Sequence, residues 1–193
     1  PPPQTMQHKA DIALLPMCER INEARSVGDD RHILAVQLID DIRAATGLEW
    51  DIATGDRWPG FITLTTFDEP HAHPSGAYTL DVTPDGVTVA GADFEGVRNG
   101  VQTLRQLIRQ CGAALPCLHI EDRPAFETRG YYLDVNRGRV PTLDWLKHWA
   151  DKLCLYKYNQ LQLYIERTFA FDSMSETWRG SSPLTPRDIL EFG

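Results

Sequence analysis

The sequence is short of most features that announce a chemistry. Its four cysteines, Cys18, Cys111, Cys117 and Cys154, are too few and too irregularly spaced for a disulfide-rich scaffold or a Cys-x-x-Cys zinc site, and read as free thiols, buried or partly so. No run of Lys or Arg occurs, and 19 basic against 27 acidic residues leave a net charge of -8. No basic face is therefore expected to neutralise phosphates, and nucleic acid is not an expected partner. Uninterrupted apolar runs fall far short of the roughly 20 residues that span a bilayer, so no membrane partner is expected and the chain reads as soluble. The opening Pro1-Pro2-Pro3-Gln4 lacks an initiator Met and the basic and apolar regions of a signal peptide. It reads as a processed or artificially set terminus, which leaves the compartment open with the cytoplasm favoured. Gly-x-Ser-x-Gly, a phosphate loop, a dinucleotide glycine motif and internal repeats are all missing.

What is present suffices for a core, with 42% hydrophobic residues in 193, in one domain or two small ones. Residues 1 to about 10 read as a flexible tail and Ile12 to Leu15 as a short strand. A helix is expected from Asp29 or Asp30 to Thr46: Leu34, Leu38, Ile42 and Ala45 recur at helical spacing, two aspartates sit at the positive end, and Gly47 supplies a stop. Phe61 to Phe67 and the alternating Ala77 to Thr83 read as strands, the latter turning at Pro84-Asp85-Gly86 into Val87-Thr88-Val89 as a hairpin. A second helix runs from Asp93, with Val97, Val101, Leu104, Ile108 and Cys111 on one stripe and Gly112 at its end. Helices on one face of a mostly antiparallel sheet make a small α+β domain, placed at residues 1–125.

From Glu127 the rhythm becomes that of a parallel α/β unit. Tyr131 to Val135 reads as a strand. Thr142 caps a helix carrying Leu146, Trp149, Leu153 and Tyr156 on one face, with Lys157 near its negative end. Leu161 to Ile165 reads as a second strand, and Thr185-Pro186-Arg187-Asp188 opens a further helix.

Two segments carry a family resemblance. One is Thr128-Arg129-Gly130-Tyr131-Tyr132-Leu133-Asp134-Val135-Asn136-Arg137-Gly138-Arg139-Val140-Pro141, with a helix of about four turns and Asn159-Gln160-Leu161-Gln162-Leu163-Tyr164-Ile165 after it. The other is Gly96-x-x-x-Gly100-x-x-Thr103-Leu104-x-Gln106-Leu107. In this order they resemble the non-catalytic domain and the opening of the catalytic barrel in glycoside hydrolase family 20, the β-N-acetylhexosaminidases. The resemblance implies an α+β domain followed, at residues 126–193, by the first β/α units of a truncated TIM (β/α)8 barrel. A complete barrel takes about 250 residues, so the chain is expected to be a fragment of a longer enzyme. That enzyme would remove terminal β-linked N-acetylhexosamine by substrate-assisted retaining hydrolysis, with an N-acetylhexosamine-containing glycan as partner and no cofactor. The family's Asp-Glu pair follows a fourth strand, the Asp orienting the acetamido group and the Glu protonating the leaving oxygen. No such pair stands at the expected place, so no catalytic residue is assigned and the fragment alone is expected to be inactive. Strands with unpaired edges also allow self-association. The alternatives are another two-domain exo-glycosidase, of α-glucuronidase or α-N-acetylglucosaminidase type, and a non-enzymatic carbohydrate-binding module.

Four residues emerge as site candidates. The resemblance gives Arg129 a role donating to sugar hydroxyls, against a tie of the corner to Asp122 or Glu127. Asp134 and Arg137, opposite charges three apart at a strand end, are expected to support the site as a structural pair. Glu166 replaces the family's acid, displaced by about one residue in Tyr164-Ile165-Glu166-Arg167, where many members read His-x-His-Leu-x-Asp; a role in sugar contact and a solvated pair with Arg167 both stay open. Tyr131, Tyr132, Trp145 and Trp149 could stack on sugars, but the two Trp are expected to pack between helix and strand. Asp29-Asp30, Asp40-Asp41 and Asp68-Glu69 read as solvated surface. His71-Ala72-His73 reads as a mobile loop rather than a metal site, no metal is assigned, and Cys117 near His119 lacks an orienting third group.

Overall fold

A computed structural model describes residues 2–15, 20–29, 31–54 and 62–192. Expectations for Pro1, Cys18, Asp30, Phe61 and Gly193 lie outside the described residues. The chain divides into two compact units, Pro1–Ala125 and Phe126–Gly193.

The first unit is an α+β domain. Its strands are β1 (Thr5–Leu14), β2 (Arg20–Glu23), β3 (Asp51–Thr54), β4 (Ile62–Thr66), β5 (Tyr78–Thr83), β6 (Gly86–Gly91) and β7 (Ala114–Asp122), with helices α1 (Ile33–Thr46) and α2 (Phe94–Cys111). The sheet order is β1-β7-β5-β6-β4-β2-β3. The expected hairpin is present, β5 and β6 pairing antiparallel from Tyr78↔Gly91 to Thr83↔Gly86.

The sheet is mixed rather than mostly antiparallel: β2 pairs parallel with β3 and β4, and β4 parallel with β6. The expected tail is also corrected. Residues 5–14 form β1 on the edge of β7, Thr5 opposite Glu121 and Leu14 opposite Ala114. As an edge strand β1 is exposed at nearly every position, so its sequence shows no buried alternation; a long-range partner makes it a strand.

Helix α1 starts at Ile33, later than expected, and the Asp29 carboxylate caps it from a distance by accepting the Leu34 N–H at 3.0 Å. Gly47, at φ 73°, closes it in the left-handed conformation that glycine adopts without penalty. Asp93 caps α2, accepting from Gly96 N–H at 2.8 Å and Gly76 N–H at 3.1 Å. Gly96 and Gly100 let α2 lie directly on the strands. A Cβ on Gly96 would stand 2.2 Å from the Ala77 carbonyl, and one on Gly100 2.5 Å from Val89 Cγ1. The core joins Leu34, Leu38 and Ile42 of α1 and Val97, Val101, Leu104 and Ile108 of α2 to alternate residues Leu80, Val82, Val87 and Val89 of the hairpin.

Asp41 is not solvated surface. Its oxygens accept from Arg105 Nε at 2.7 Å and Arg109 Nε at 2.9 Å, and Arg105 also reaches Gln37 and Gln102. Arg105 and Asp41 are both buried, so they form a buried ion pair clamping α1 to α2. Asp68 and Glu69 are exposed as expected.

The second unit holds β8 (Gly130–Asp134), α3 (Leu143–Leu155), β9 (Gln160–Tyr164), α4 (Ser175–Trp178) and α5 (Pro186–Phe192). β8 and β9 run parallel in register from Gly130↔Gln160 to Asp134↔Tyr164, with α3 as the crossover. Thr142 caps α3, its Oγ1 accepting the Trp145 N–H at 3.2 Å. Tyr156, expected on the apolar face, is 68% exposed, because α3 ends at Leu155 and the chain turns away. There Lys157, at φ 64°, donates to Cys154 O and Tyr158 N–H donates to Leu153 O, a Schellman closure built without glycine.

Candidate sugar-binding site at the strand ends

The register of β8 and β9 decides which residues meet. Asp134 lies opposite Tyr164, so two residues further on Asn136 faces Glu166, and the Asn136 amide donates to Glu166 Oε2 at 2.7 Å. Arg137 closes the group, donating to Asp134 Oδ2 at 2.6 Å and Glu166 Oε1 at 3.1 Å. The Tyr164 hydroxyl donates to the same Glu166 oxygen, and the Arg137 guanidinium lies 5.1 Å from the centre of the Tyr164 ring. Asp134, Arg137 and Glu166 thus gather at the carboxyl ends of two parallel strands, the end at which α/β barrels carry their ligand sites.

The electrostatics are those of a fixed cation between two acids. The Asn136 N–H bond to Asp134, joined by the Arg137 side chain and N–H, holds the Asp134 carboxyl below its usual range. The bond to Asp134 also pushes the Arg137 guanidinium further up, so it stays charged. The Arg137 side chain is 65% exposed and that of Glu166 47%. Both therefore present polar atoms to solvent while their partners fix their orientation, an arrangement suited to hydroxyl-rich ligands.

Arg129 is not brought to this cluster. It precedes the first residue of β8, and at about 3.3 Å per residue that is roughly 16 Å along the strand from Asp134. Its Nε donates to the Lys157 carbonyl at 2.7 Å and its Nη1 to the carbonyls of Phe126 at 2.8 Å and Glu127 at 3.2 Å. The Asn159 amide braces the same corner, accepting from Arg129 N–H and donating to Glu127 O. The left-handed turn at Lys157 directs a carbonyl at Arg129.

Of the two Trp, Trp149 packs between helix and strand as expected, while Trp145 packs on its own helix and under Arg139. Trp149 meets Tyr131 of β8 edge-on at 5.4 Å, and Trp145 stacks on Trp149. Sequence reasoning missed Asn136 and Tyr164. The available signal was spacing, since Tyr164 shares a face with Glu166 two residues on, and an Asn two residues past Asp134 is placed to turn at a strand end.

Other sequence candidates lie elsewhere. Cys117 is fully buried and burial pushes its thiol up, away from a reactive thiolate. His119 does have orienting partners, Glu121 Oε1 at 3.1 Å and Asp81 Oδ1 at 2.7 Å, which push its pKa up. His71 lies in a 3-10 turn, Pro70–Ala72, and the His73 ring packs 4.3 Å from that of Phe67. Among the described residues no three His, Cys, Asp or Glu side chains gather as a metal site, and no helix is long and apolar enough to cross a membrane.

The profile described as glycosyl hydrolase family 20, domain 2, matches residues 2–123. The chain belongs to glycosyl hydrolase family 20. It is similar to a β-hexosaminidase of Akkermansia muciniphila, 39% identical over 92 residues that cover 46% of this chain and 18% of that protein. It is also similar to a β-hexosaminidase of Porphyromonas gingivalis, 28% identical over 169 residues that cover 83% of this chain and 21% of that protein. The chain therefore spans about a fifth of the length of these family 20 relatives. Among solved structures, the N-acetyl-β-hexosaminidase of Streptomyces plicatus in complex with Thio-NAglucal superposes with a TM-score of 0.79 at 27% identity, covering 98% of this chain and 41% of that one.

Proposed function

We propose that this family 20 chain is the N-terminal portion of an exo-glycosidase that removes terminal β-linked N-acetylhexosamine with retention. Residues 1–125 would serve as its non-catalytic domain, and 126–193 as the first β/α units of a (β/α)8 barrel. The observation that carries this reading is the Asp134–Arg137–Glu166 bridge at the carboxyl ends of parallel β8 and β9. The relatives named β-hexosaminidase support the substrate class.

In this reading Arg137 and Glu166 contact hydroxyls of the terminal sugar. Asp134 holds Arg137 charged and oriented, and Asn136 and Tyr164 hold Glu166. The role expected for Arg129, donation to the sugar, passes to Arg137, while Arg129 ties the leading end of β8 to the end of α3 through main-chain carbonyls. The acid that protonates the leaving oxygen would come from chain beyond these residues, with the substrate's own acetamido oxygen as nucleophile.

The test is the stereochemistry of hydrolysis. A protein carrying this segment at its relatives' length is given an aryl N-acetyl-β-D-glucosaminide, and the first-formed sugar is read by proton NMR. The β-anomer of N-acetylglucosamine is expected first. Inversion to the α-anomer, or turnover confined to α-glucuronides or α-N-acetylglucosaminides, would refute the assignment.

A further inference from the structure

On the face of the first unit's sheet opposite the core, register gathers three titratable side chains. Asp81 of β5 stands directly opposite His119 of β7, and Glu121, two residues further along β7, shares that face. Their neighbours Leu80, Val82, Leu118 and Ile120 point the other way, into the core. The imidazole lies between the two acids, with Nδ1 2.7 Å from Asp81 Oδ1 and Nε2 3.1 Å from Glu121 Oε1.

The count of donors decides what this arrangement needs. A neutral imidazole has one N–H and one bare nitrogen, whereas an ionised carboxylate only accepts. A neutral ring would therefore set a lone pair against one of the two carboxylates, and only the imidazolium satisfies both. The bonds to Glu121 and Asp81 accordingly hold the His119 pKa above its ordinary value. The residues opposite this group are Thr5 and Gln7 on β1, Thr79 on β5 and Thr88 on β6, none of which ionises near neutrality. Lys9 and Asp11 of β1 act on Cys117, two residues before His119, with opposite signs.

We propose that Asp81, His119 and Glu121 form a proton-operated latch between β5 and β7, closed by the imidazolium and opened, with Glu121 released, when the ring loses its proton. The order of release follows from geometry. Asp81 makes the shorter contact and its side chain is 35% exposed, against 62% for Glu121. The neutral ring keeps its proton on Nδ1 toward Asp81, and the bare Nε2 turns the more exposed Glu121 carboxylate out into solvent. A raised folded pKa gives a contribution to stability that is fully present below the unfolded value, near pH 6.5, and is lost as pH rises through the folded value. The latch thus makes the first unit more stable on the acid side of that value, through a histidine placed as a pH sensor. It is independent of the sugar-site reading.

The experiment follows the His119 ring by nitrogen-15 NMR through a pH titration of this chain, with the signal assigned by its loss in His119→Gln. The folded chain is expected to titrate at a higher pH than the same chain unfolded in urea. Both ring nitrogens should be protonated below the midpoint and Nδ1 alone above it. Glu121→Gln and Asp81→Asn should each move the midpoint down toward the unfolded value. In urea unfolding, the stability gap between the parent and His119→Gln should be widest below about pH 6.5 and close as pH rises through the folded midpoint. A folded midpoint at or below the unfolded one, a midpoint that neither substitution lowers, or a gap constant with pH would overturn the latch. A neutral ring protonated at Nε2 would overturn the release of Glu121.

Discussion

At the scale of single residues, the sequence is a poor guide to which acids are buried. Asp40 and Asp41 look alike in the chain, yet Asp40 is exposed and Asp41 is held between Arg105 and Arg109. Their difference is the face of α1 that each occupies: Asp41, three residues after Leu38, lies on the buried side that meets α2, and Asp40 does not. Removing one partner of a buried pair leaves the other charge uncompensated, at about 3–5 kcal/mol. Asp41→Ala is expected to lower the urea-unfolding free energy by that amount, and a loss under about 1 kcal/mol would show that the pair behaves as a surface one. Asp93 was legible, as a capping acid before a periodic helix. Burial works against its charged form, but bonds from Ser75, Gly96 and Gly76 and the charge of Arg98 outweigh it, so its carboxyl lies below the usual range. A depressed folded pKa contributes stability above the unfolded value, near pH 4, and loses it as pH falls through the folded value. Asp93→Ala should therefore cost about 0.5–2 kcal/mol at pH 7. In chemical unfolding repeated at falling pH, the gap to the parent should close below about pH 4; a gap constant with pH would argue against the charge.

At the scale of elements, what was legible is what neighbours along the chain determine. The hairpin, both long helices of the first unit, the stop at Gly47 and the Thr142 cap follow from periodicity and turn chemistry. What escaped is what a distant partner determines: the reach of β1 back from the expected Ile12 region to Thr5 along β7, and the four-residue strands β2 and β3 in parallel ladders. The Gly96-x-x-x-Gly100 spacing was visible, and the structure supplies its physical reason, the contact of α2 backbone with Ala77 and Val89. Gly96→Ala adds a methyl where the neighbour is main chain. The overpacking cost of about 1–3 kcal/mol should exceed the roughly 1 kcal/mol that alanine gains in helix propensity. Thermal unfolding is expected to show a lower midpoint; a higher one would mean that the helix moves off the sheet at little cost.

At the scale of the whole molecule, the candidate site is an outcome of register. A 30-residue offset between β8 and β9 brings Asn136 to Glu166 at one end and Arg129 to Asn159 at the other. Arg129 and Arg137 are both arginines in the same conspicuous stretch, and only the direction of β8 tells which of them stands at the carboxyl end with the acids. The fold class of the first unit was legible because two amphipathic helices and a hairpin suffice to imply a layered core. The candidate site was legible in its residue types but not in which of them stand together: Asp134, Arg137 and Glu166 gather, while Arg129 is bound by main-chain carbonyls. The measurement that tests this most directly is kcat/KM on an aryl N-acetyl-β-D-glucosaminide for Arg137→Ala, made in a protein carrying this segment at its relatives' length and confirmed folded by circular dichroism. Loss of a hydrogen bond from a charged group is expected to lower it about ten- to a hundredfold, with Arg129→Ala lowering thermal stability and leaving KM near the parent value. An Arg137→Ala protein that keeps the parent's kcat/KM, with Arg129→Ala losing it instead, would contradict the account.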